Sequence, residues 1–151
     1  MSLALTSVYL VTRAVLPSML SSGRPGSIVN VSSVNGQTGF GEEAYAASKA
    51  GVINLTQNLA VRYGPNGIRC NAVSPGTIHT QLWDDRIKRN PAVFETLKKY
   101  YPLGRIGRGT DVAEAIFFLA SDKASWITGT TLNVDGGLMA GSSQLQRDLQ
   151  P

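Results

Sequence analysis

The stretch that decides the fold is SIVNVSSVNGQTGFGEEAYAASK, residues 27–49. Its first seven residues are rich in β-branched side chains and predict a short strand. A glycine-rich loop follows, and acidic residues then open a helix, where the helix dipole favours them. Tyr45 and Lys49 lie four positions apart on that helix and therefore share one face. A free phenol has a pKa of about 10 and releases its proton more readily beside an ammonium group, so this pair could serve proton transfer.

The composition indicates one ordinary globular domain. The chain has 151 residues, of which 42% are hydrophobic and 16% charged, so a packed core is expected and wholesale disorder is not. The net charge is +4, but the basic residues are scattered or mixed with acidic ones. This pattern favours solvated faces over nucleic-acid binding.

The counts of cysteine and histidine exclude several kinds of site. The single cysteine, Cys70, cannot form an intramolecular disulfide and is interpreted as a buried, inert thiol. The single histidine, His79, excludes a metal site with two histidine ligands and leaves little room for a Ser-His-Asp triad. We predict no metal site.

The remaining sequence predicts a soluble, cytoplasmic protein without membrane contact. We find no run that approaches the roughly 20 apolar residues of a membrane span. The first ten residues lack the basic region of a signal peptide and continue into a predicted helix. That helix is apolar over more than one stripe, so we expect it to be covered on two sides.

The order of elements predicts the fold class. Strands are expected at 27–33, 68–74 and 130–134, helices at 2–22, 42–63 and 111–121, and a charged lobe at 80–101 that is broken at residues 90–91. Strands separated by helices imply right-handed βαβ units and a parallel sheet. A doubly wound domain carries a glycine-rich nucleotide turn in its first βα unit, and we find none near the start. We therefore predict the second half of a doubly wound, Rossmann-like domain, with residues 1–141 as the domain.

Two boundaries are predicted more closely. Thr110 is a candidate N-cap for the last core helix, in a capping-box pattern whose acidic residue comes one position late. The polar tail from Ser142 onward is expected to be frayed.

Several motifs together resemble one known family. They are Gly26 to Ser33 (GSIVNVSS), Tyr45 to Lys49 (YAASK), Asn71 to Gly76 (NAVSPG), Pro102 to Arg105 (PLGR) with Asp111 to Ala113 (DVA), and Gly129 with Asp135 to Gly137 (DGG). Tyr-x-x-x-Lys alone is a weak signal, but the order and spacing of the set are similar to the C-terminal part of the short-chain dehydrogenase/reductase family. The resemblance extends to about Gly141.

The resemblance implies an NAD(P)-dependent oxidoreductase that interconverts a secondary alcohol and a ketone by hydride transfer. Tyr45 would be the acid/base, Lys49 would assist it by its charge and hold the nicotinamide ribose, and Ser33 would hydrogen-bond the substrate oxygen. The other residues implied are Pro75, Gly76, Ile78 and Thr80 for the cofactor, together with Tyr45 and Lys49, and Asn35 and Trp83 for the substrate. The cofactor is either NAD or NADP.

Simpler interpretations stand beside these roles. In these interpretations Pro75 and Gly76 form only a strand-ending turn, Ser33 caps its own loop, and Lys49 is a solvated helix residue. Ser33 and Tyr45 are twelve positions apart, one fewer than is usual in the family, so Ser32 is the alternative active serine.

Two departures from the family pattern bear on function. Ala4 stands where the family usually has an asparagine, which would interrupt a water-linked proton path behind Lys49. The N-terminal half, with its glycine-rich phosphate turn, is not in this sequence, so we expect this chain alone to bind dinucleotide poorly.

The resemblance also implies a homo-oligomer, dimer or tetramer, formed through the first two helices. A face of small residues fits that role: Ala46, Ala47, Ala50 and Gly51. The alternative function is accordingly a truncated oligomerisation domain with weak or no catalysis.

Overall fold

A computed structural model describes residues 2–149 of the chain. Its helices are α1 (Ser7–Ser21), α2 (Glu43–Tyr63), α3 (Asp84–Arg89), α4 (Val93–Leu97), α5 (Gly109–Ala120) and α6 (Ser143–Leu149). Its strands are β1 (Gly26–Val31), β2 (Ile68–Pro75), β3 (Ile78–His79), β4 (Gly107–Arg108) and β5 (Thr131–Val134).

The main sheet has three parallel strands in the order β1-β2-β5. The register pairs Gly26 with Ile68 at one end of β1 and Val31 with Val73 at the other. Strand β5 joins the other side of β2, with Ala72 opposite Thr131. The predicted parallel sheet is therefore confirmed.

Both faces of the sheet are covered because side chains alternate along β2. Ile68 and Cys70 pack against α1 and α2, in a cluster with Leu16, Leu59 and Ala60. Val73 points to the opposite face and packs against Leu119 of α5 and Ala124. Helices on the two faces of a parallel sheet confirm the predicted doubly wound class.

The interpretation of Cys70 as a buried thiol is confirmed. Its side chain is buried in the α1–α2 cluster, and desolvation raises the pKa of the thiol to about 12. Since the thiolate is the reactive form, this cysteine is chemically inert in the folded protein.

The first helix corrects one prediction. Residues Ser2–Thr6 form a π-helical turn that runs into α1. Together, Leu3–Ser21 make a 19-residue helix that is, by length and composition, apolar and long enough to cross a membrane. Only 11% of its apolar segment is buried inside the protein. The statement that no run approaches membrane-spanning length was therefore wrong. Length and composition alone are weak grounds for a span, because core helices and signal sequences share them.

The helix cap at α5 differs from the prediction. The helix begins at Gly109, and the carboxylate of Asp111 accepts a hydrogen bond from the backbone N–H of Arg108 at 2.7 Å. The N-cap is thus Arg108, and the predicted cap Thr110 lies inside the first turn. The same carboxylate accepts two hydrogen bonds from the Arg105 guanidinium at 2.7 and 2.9 Å, which hold the pKa of Asp111 down at about 2. The acid of the capping box is therefore Asp111, three residues after Arg108, and not Glu114, which stands four residues after the predicted cap Thr110.

The predicted break in the charged lobe is confirmed, since α3 ends at Arg89 and α4 starts at Val93. Strands β3 and β4 were not predicted and pair in parallel with each other, each being only two residues long. The tail is not frayed where it is described. It forms α6, in which Arg147 donates a hydrogen bond to the Lys99 carbonyl at 2.9 Å; residues 150–151 lie outside the described part.

Candidate active site

The candidate site lies where β1 ends and the chain turns toward α2. Ser32 and Ser33 follow the last strand residue, and Val34–Gly36 form a 3-10 turn. The Ser32 hydroxyl donates to the Lys49 carbonyl at 2.8 Å, so it points into the contact with α2. The Ser33 side chain instead lines a cavity. This geometry favours Ser33 over Ser32 as the serine available to a ligand.

Ser33 also caps its own turn. Its Oγ accepts a hydrogen bond from the backbone N–H of Asn35 at 3.2 Å and donates one to the Asn35 Oδ1 at 3.3 Å. Another hydroxyl, from Ser74 on β2, donates to the Ser33 carbonyl at 3.3 Å. The local capping role foreseen for Ser33 is therefore present, and it fixes the hydroxyl at the wall of the cavity.

Gly36 allows this turn to lie directly on α2. A Cβ at Gly36 would stand 2.6 Å from the Lys49 carbonyl carbon and 2.8 Å from the Ala50 nitrogen. These are backbone atoms that cannot rotate away, so any side chain here would push the turn off the helix. Gly36 thus sets the distance between Ser33 and the helix that carries Tyr45 and Lys49. The sequence alone predicts only a glycine-rich loop here. The contact joins residues 36 and 49–50, and the distance between them in the folded protein cannot be derived from the sequence.

Tyr45 and Lys49 lie on one face of α2, as their spacing predicts. The Lys49 Nζ is 5.6 Å from the centroid of the Tyr45 ring and donates a hydrogen bond to the Val31 carbonyl at 2.9 Å. Half-burial lowers the pKa of Lys49 below its usual value. The ammonium is therefore held between the end of β1 and the phenol, where its charge acts on Tyr45 at short range.

The cavity has a volume of about 720 Å³ and is bounded by the turn after β1, the start of α2, the residues that follow β2 and the lobe of α3 and α4. The lobe is fixed by Tyr101, which is 5% exposed. Its hydroxyl donates to the Thr77 Oγ1 at 2.7 Å and accepts from the Thr77 backbone N–H at 2.9 Å. This pair ties the end of the lobe to the loop after β2 and so closes one side of the cavity.

Six of the sequence-predicted residues line this cavity: Ser33, Asn35, Tyr45, Gly76, Ile78 and Trp83. Three do not, namely Lys49, Pro75 and Thr80. Lys49 lies beside the Tyr45 ring, which itself lines the cavity. Pro75 is the last residue of β2, and Thr80 precedes the turn into α3. The structure thus brings the substrate residues together and leaves part of the cofactor set outside the cavity.

Several lining residues were not singled out as site residues from the sequence. They are Val34, Phe40, Glu42, Thr77, Arg86, Tyr100, Tyr101 and Leu138. Leu82 and Leu97 also line the cavity, and the sequence predicts both as part of an apolar lobe that covers the substrate. The apolar residues of the lobe gave a weak signal, since they could equally have been lobe packing. Glu42 and Phe40 gave none, because a loop residue's direction depends on the fold.

The residues present fit the nicotinamide end of a dinucleotide better than its phosphates. Tyr45, Gly76 and Ile78 line the cavity, and Lys49 supplies a cation behind them. At the start of α2, by contrast, Glu42 and Glu43 place negative charge, so this helix end is not suited to hold a phosphate. Gly76 also has a packing role, since a Cβ there would approach the Tyr101 ring to 3.0 Å.

Comparison with known proteins agrees with the fold. A family model described as enoyl-(acyl carrier protein) reductase matches residues 1–139. A crystal structure of a short-chain dehydrogenase/reductase family oxidoreductase from Burkholderia thailandensis superposes with a TM-score of 0.92 at 48% identity, over 96% of this chain and 57% of that one. The chain belongs to the short-chain dehydrogenase/reductase family.

Two further similarities concern substrate and cofactor. Human (3R)-3-hydroxyacyl-CoA dehydrogenase is 44% identical over 135 residues, covering 89% of this chain and 51% of that protein. A structure described as a candidate 2-deoxy-D-gluconate 3-dehydrogenase of Agrobacterium tumefaciens, with bound NADP, has a TM-score of 0.85 at 34% identity, over 91% and 56% of the two chains. The chain spans about half the length of the curated relatives it matches.

Proposed function

We propose that the complete protein carrying this chain is an NAD(P)-dependent oxidoreductase that interconverts a secondary alcohol and a ketone. The observation that carries the proposal is the joint position of Ser33 and Tyr45 on one cavity, with the Lys49 ammonium 5.6 Å from the Tyr45 ring. The human relative, by its name, acts on a hydroxyacyl compound, which is a secondary alcohol.

Each residue has one task in the proposed reaction. The nicotinamide cofactor, when bound, supplies or accepts the hydride. Tyr45 gives its phenolic proton to the carbonyl oxygen in reduction and takes it back from the hydroxyl in oxidation. Ser33, fixed by its turn with Asn35, donates a hydrogen bond to the same oxygen. Lys49 places its ammonium 5.6 Å from the centroid of the ring that transfers this proton.

Replacing Tyr45 with Phe in the complete gene product tests the proposal. General acid–base catalysis contributes about 10²–10⁴ in rate, so we expect turnover of a 3-hydroxyacyl or 3-oxoacyl thioester with NAD(H) or NADP(H) to fall by that factor. Binding of cofactor should change little, because the ring remains. Tyr9→Phe, which removes an exposed phenol on α1, is the matched control. A Tyr45→Phe protein that keeps more than a tenth of the wild-type rate would refute the assignment.

We also propose that the 151-residue chain alone binds dinucleotide weakly. Its support is the lack of a G-x-G-x-x-G-like phosphate turn in this sequence. Titration with NADH and NADPH, followed by nicotinamide fluorescence, should show no saturation at micromolar concentrations. Saturable micromolar binding of either one would contradict this proposal and would also show which cofactor the chain prefers.

A second function, an oligomerisation domain, is favoured by one observation. Helix α1 exposes a row of apolar side chains, among them Tyr9, Leu10, Val11 and Val15, of which Val11 is 63% exposed. Gly51 of the small-residue face is already covered within the chain, since its Cβ position lies 2.8 Å from Leu5. A contact between copies would therefore use the exposed side of α1 together with Ala47 and Ala50.

Sedimentation separates the two functions. A dimer or tetramer that Val11→Glu converts to a monomer would support assembly through α1. Leu103→Glu, at an exposed apolar residue in the loop before β4, is the control and should leave the assembly unchanged. A wild-type monomer would remove the second function.

A further inference from the structure

Arg86 occupies an unusual position in the wall of the cavity. It lies on α3, and its guanidinium stacks over the Trp83 ring at 5.0 Å from the centroid. The Trp83 ring is itself held by Phe94, with ring centroids 5.2 Å apart. Stacking of this kind fixes the plane of a guanidinium and leaves the N–H donors at its edge unused.

Two of the three carboxylates in the lobe at residues 80–101 are paired with lysines, Asp85 with Lys88 and Glu95 with Lys98. The third, Asp84, forms no ion pair with Arg86. Among residues 2–149, the Arg86 side chain forms neither an ion pair nor a hydrogen bond. Its guanidinium contacts the Trp83 ring instead. Arg86 is exposed, so its unpaired guanidinium at the cavity edge is open to an anion.

The other walls of the cavity define what that anion is attached to. They are mostly apolar, being formed by Phe40, Leu82, Leu97, Tyr100 and Leu138. Glu42 is the second charged residue on the cavity, and it lies at the start of α2, on a different wall from the lobe that carries Arg86. A ligand that satisfies the whole site therefore has an apolar body and one anionic end directed at Arg86.

We infer that the substrate is an amphipathic anion, an apolar chain with a carboxylate or phosphate group that the Arg86 guanidinium binds. This inference names the substrate class of the reaction proposed above and rests on that proposal for the chemistry. The binding itself requires neither cofactor nor turnover, so the two can fail separately. Arg86 is then a specificity-determining residue, because it selects the charged compound over a neutral one of the same length.

Fluorescence of Trp83 gives a direct test. The sequence has two tryptophans, so Trp126→Phe leaves Trp83 as the only one. This protein is titrated with decanoate, decyl phosphate and decan-1-ol, each kept below its micelle concentration. We expect the anions to bind about tenfold or more tightly than the alcohol, as for a hydrogen bond to a charged group. Comparison of decanoate with decyl phosphate distinguishes the two anionic groups.

Variants in the same background locate the effect at Arg86. Arg86→Gln should bring the anions to the affinity of the alcohol, and Arg86→Lys should retain part of the preference because it keeps the charge but loses the planar donor pattern. Arg89→Gln lowers the net charge equally from the same helix but outside the cavity lining, and should leave the preference intact. Glu42→Gln removes a like charge and should not weaken anion binding.

The outcomes are distinct. Equal affinity for the alcohol and both anions, lack of saturable anion binding, or a preference that survives Arg86→Gln would each overturn the inference. Circular dichroism of each variant shows whether it is folded. If Arg86→Gln is not folded, Arg86→Lys replaces it as the test variant. Turnover of neutral ketones without anion preference would overturn the inference and leave the proposed reaction intact. Anion preference in a protein whose turnover does not depend on Tyr45 would support the inference and overturn the proposed reaction.

Discussion

The loop before α2 contains Gly36, Gly39 and Gly41, which differ in the space around them and in backbone φ. We predict that Gly36 is the one that cannot be replaced. A Cβ at Gly36 would be 2.6 Å from backbone carbon, whereas ordinary contact begins at 3.4 Å. The turn or the helix must therefore separate by 0.8 Å, the difference between these two distances (3.4 − 2.6). The backbone φ of Gly36 is not positive, so the clash is the main effect of adding a methyl group.

The expected magnitude follows from known costs. Forcing extra methyl groups into packed regions costs about 1–3 kcal/mol. Separation of the turn from α2 also strains the hydrogen bond from Ser32 to the Lys49 carbonyl, and such a bond contributes about 0.5–1.5 kcal/mol. Loss of glycine's freedom in the unfolded chain returns about 0.4–1 kcal/mol. We therefore expect Gly36→Ala to lower the free energy of unfolding by about 2 kcal/mol.

Urea unfolding followed by circular dichroism measures this change, and the same loop supplies the controls. Gly39→Ala meets nothing within 4 Å and has no positive φ, so it should be neutral or slightly stabilising. Gly41→Ala has equal space but a φ of +86°, so it should cost about 1 kcal/mol from backbone strain alone. If Gly36→Ala unfolds within about 0.5 kcal/mol of Gly39→Ala, the close approach of turn and helix is wrong.

Three other perturbations test the supports of the site. Tyr101→Phe removes the hydroxyl that accepts from the Thr77 N–H, so urea unfolding should show a loss of about 1–3 kcal/mol, and an unchanged midpoint would contradict the anchor. The pKa of Asp111 is held at about 2, so its ion pair stabilises the protein above pH 4 and is lost as the pH falls toward 2. Asp111→Asn should remove that part of the acid dependence, and identical acid profiles for the two proteins would show that the pair does not matter. Burial raises the pKa of Cys70 to about 12, so the native protein should react with a thiol reagent only as fast as it opens, whereas rapid labelling of folded protein would place Cys70 at the surface.

The parts of this protein that depend on local pattern could be read from the sequence. The β-branched run before Ser33 forms β1, and the spacing of Tyr45 and Lys49 puts both on one face of α2. Asn90 and Pro91 do break the lobe into two helices. Local pattern suffices here because helix periodicity and chain-breaking residues act within a few positions of themselves.

Other features were settled only by contacts between distant parts of the chain. The choice between Ser32 and Ser33 depends on which hydroxyl meets the Lys49 carbonyl, and two neighbouring serines cannot reveal that. The start of α5 depends on Asp111, whose carboxylate accepts hydrogen bonds from the Arg108 backbone N–H and from Arg105, and not on Thr110. Strands β3 and β4 have two residues each, which is too short to show any periodicity. They form because the segment that follows β2 lies beside the segment that precedes α5.

The sequence by itself therefore determined the class of fold and the identity of the Tyr45–Lys49 pair, since both follow from the spacing of residues along one helix or strand. Only the tertiary structure decided what surrounds that pair. Gly36 presses the Ser33 turn onto α2, Tyr101 closes the lobe, and stacking on Trp83 sets Arg86 into the cavity wall. These are packing relations across the fold, and packing is fixed by volume and distance in three dimensions, which no spacing along the chain expresses.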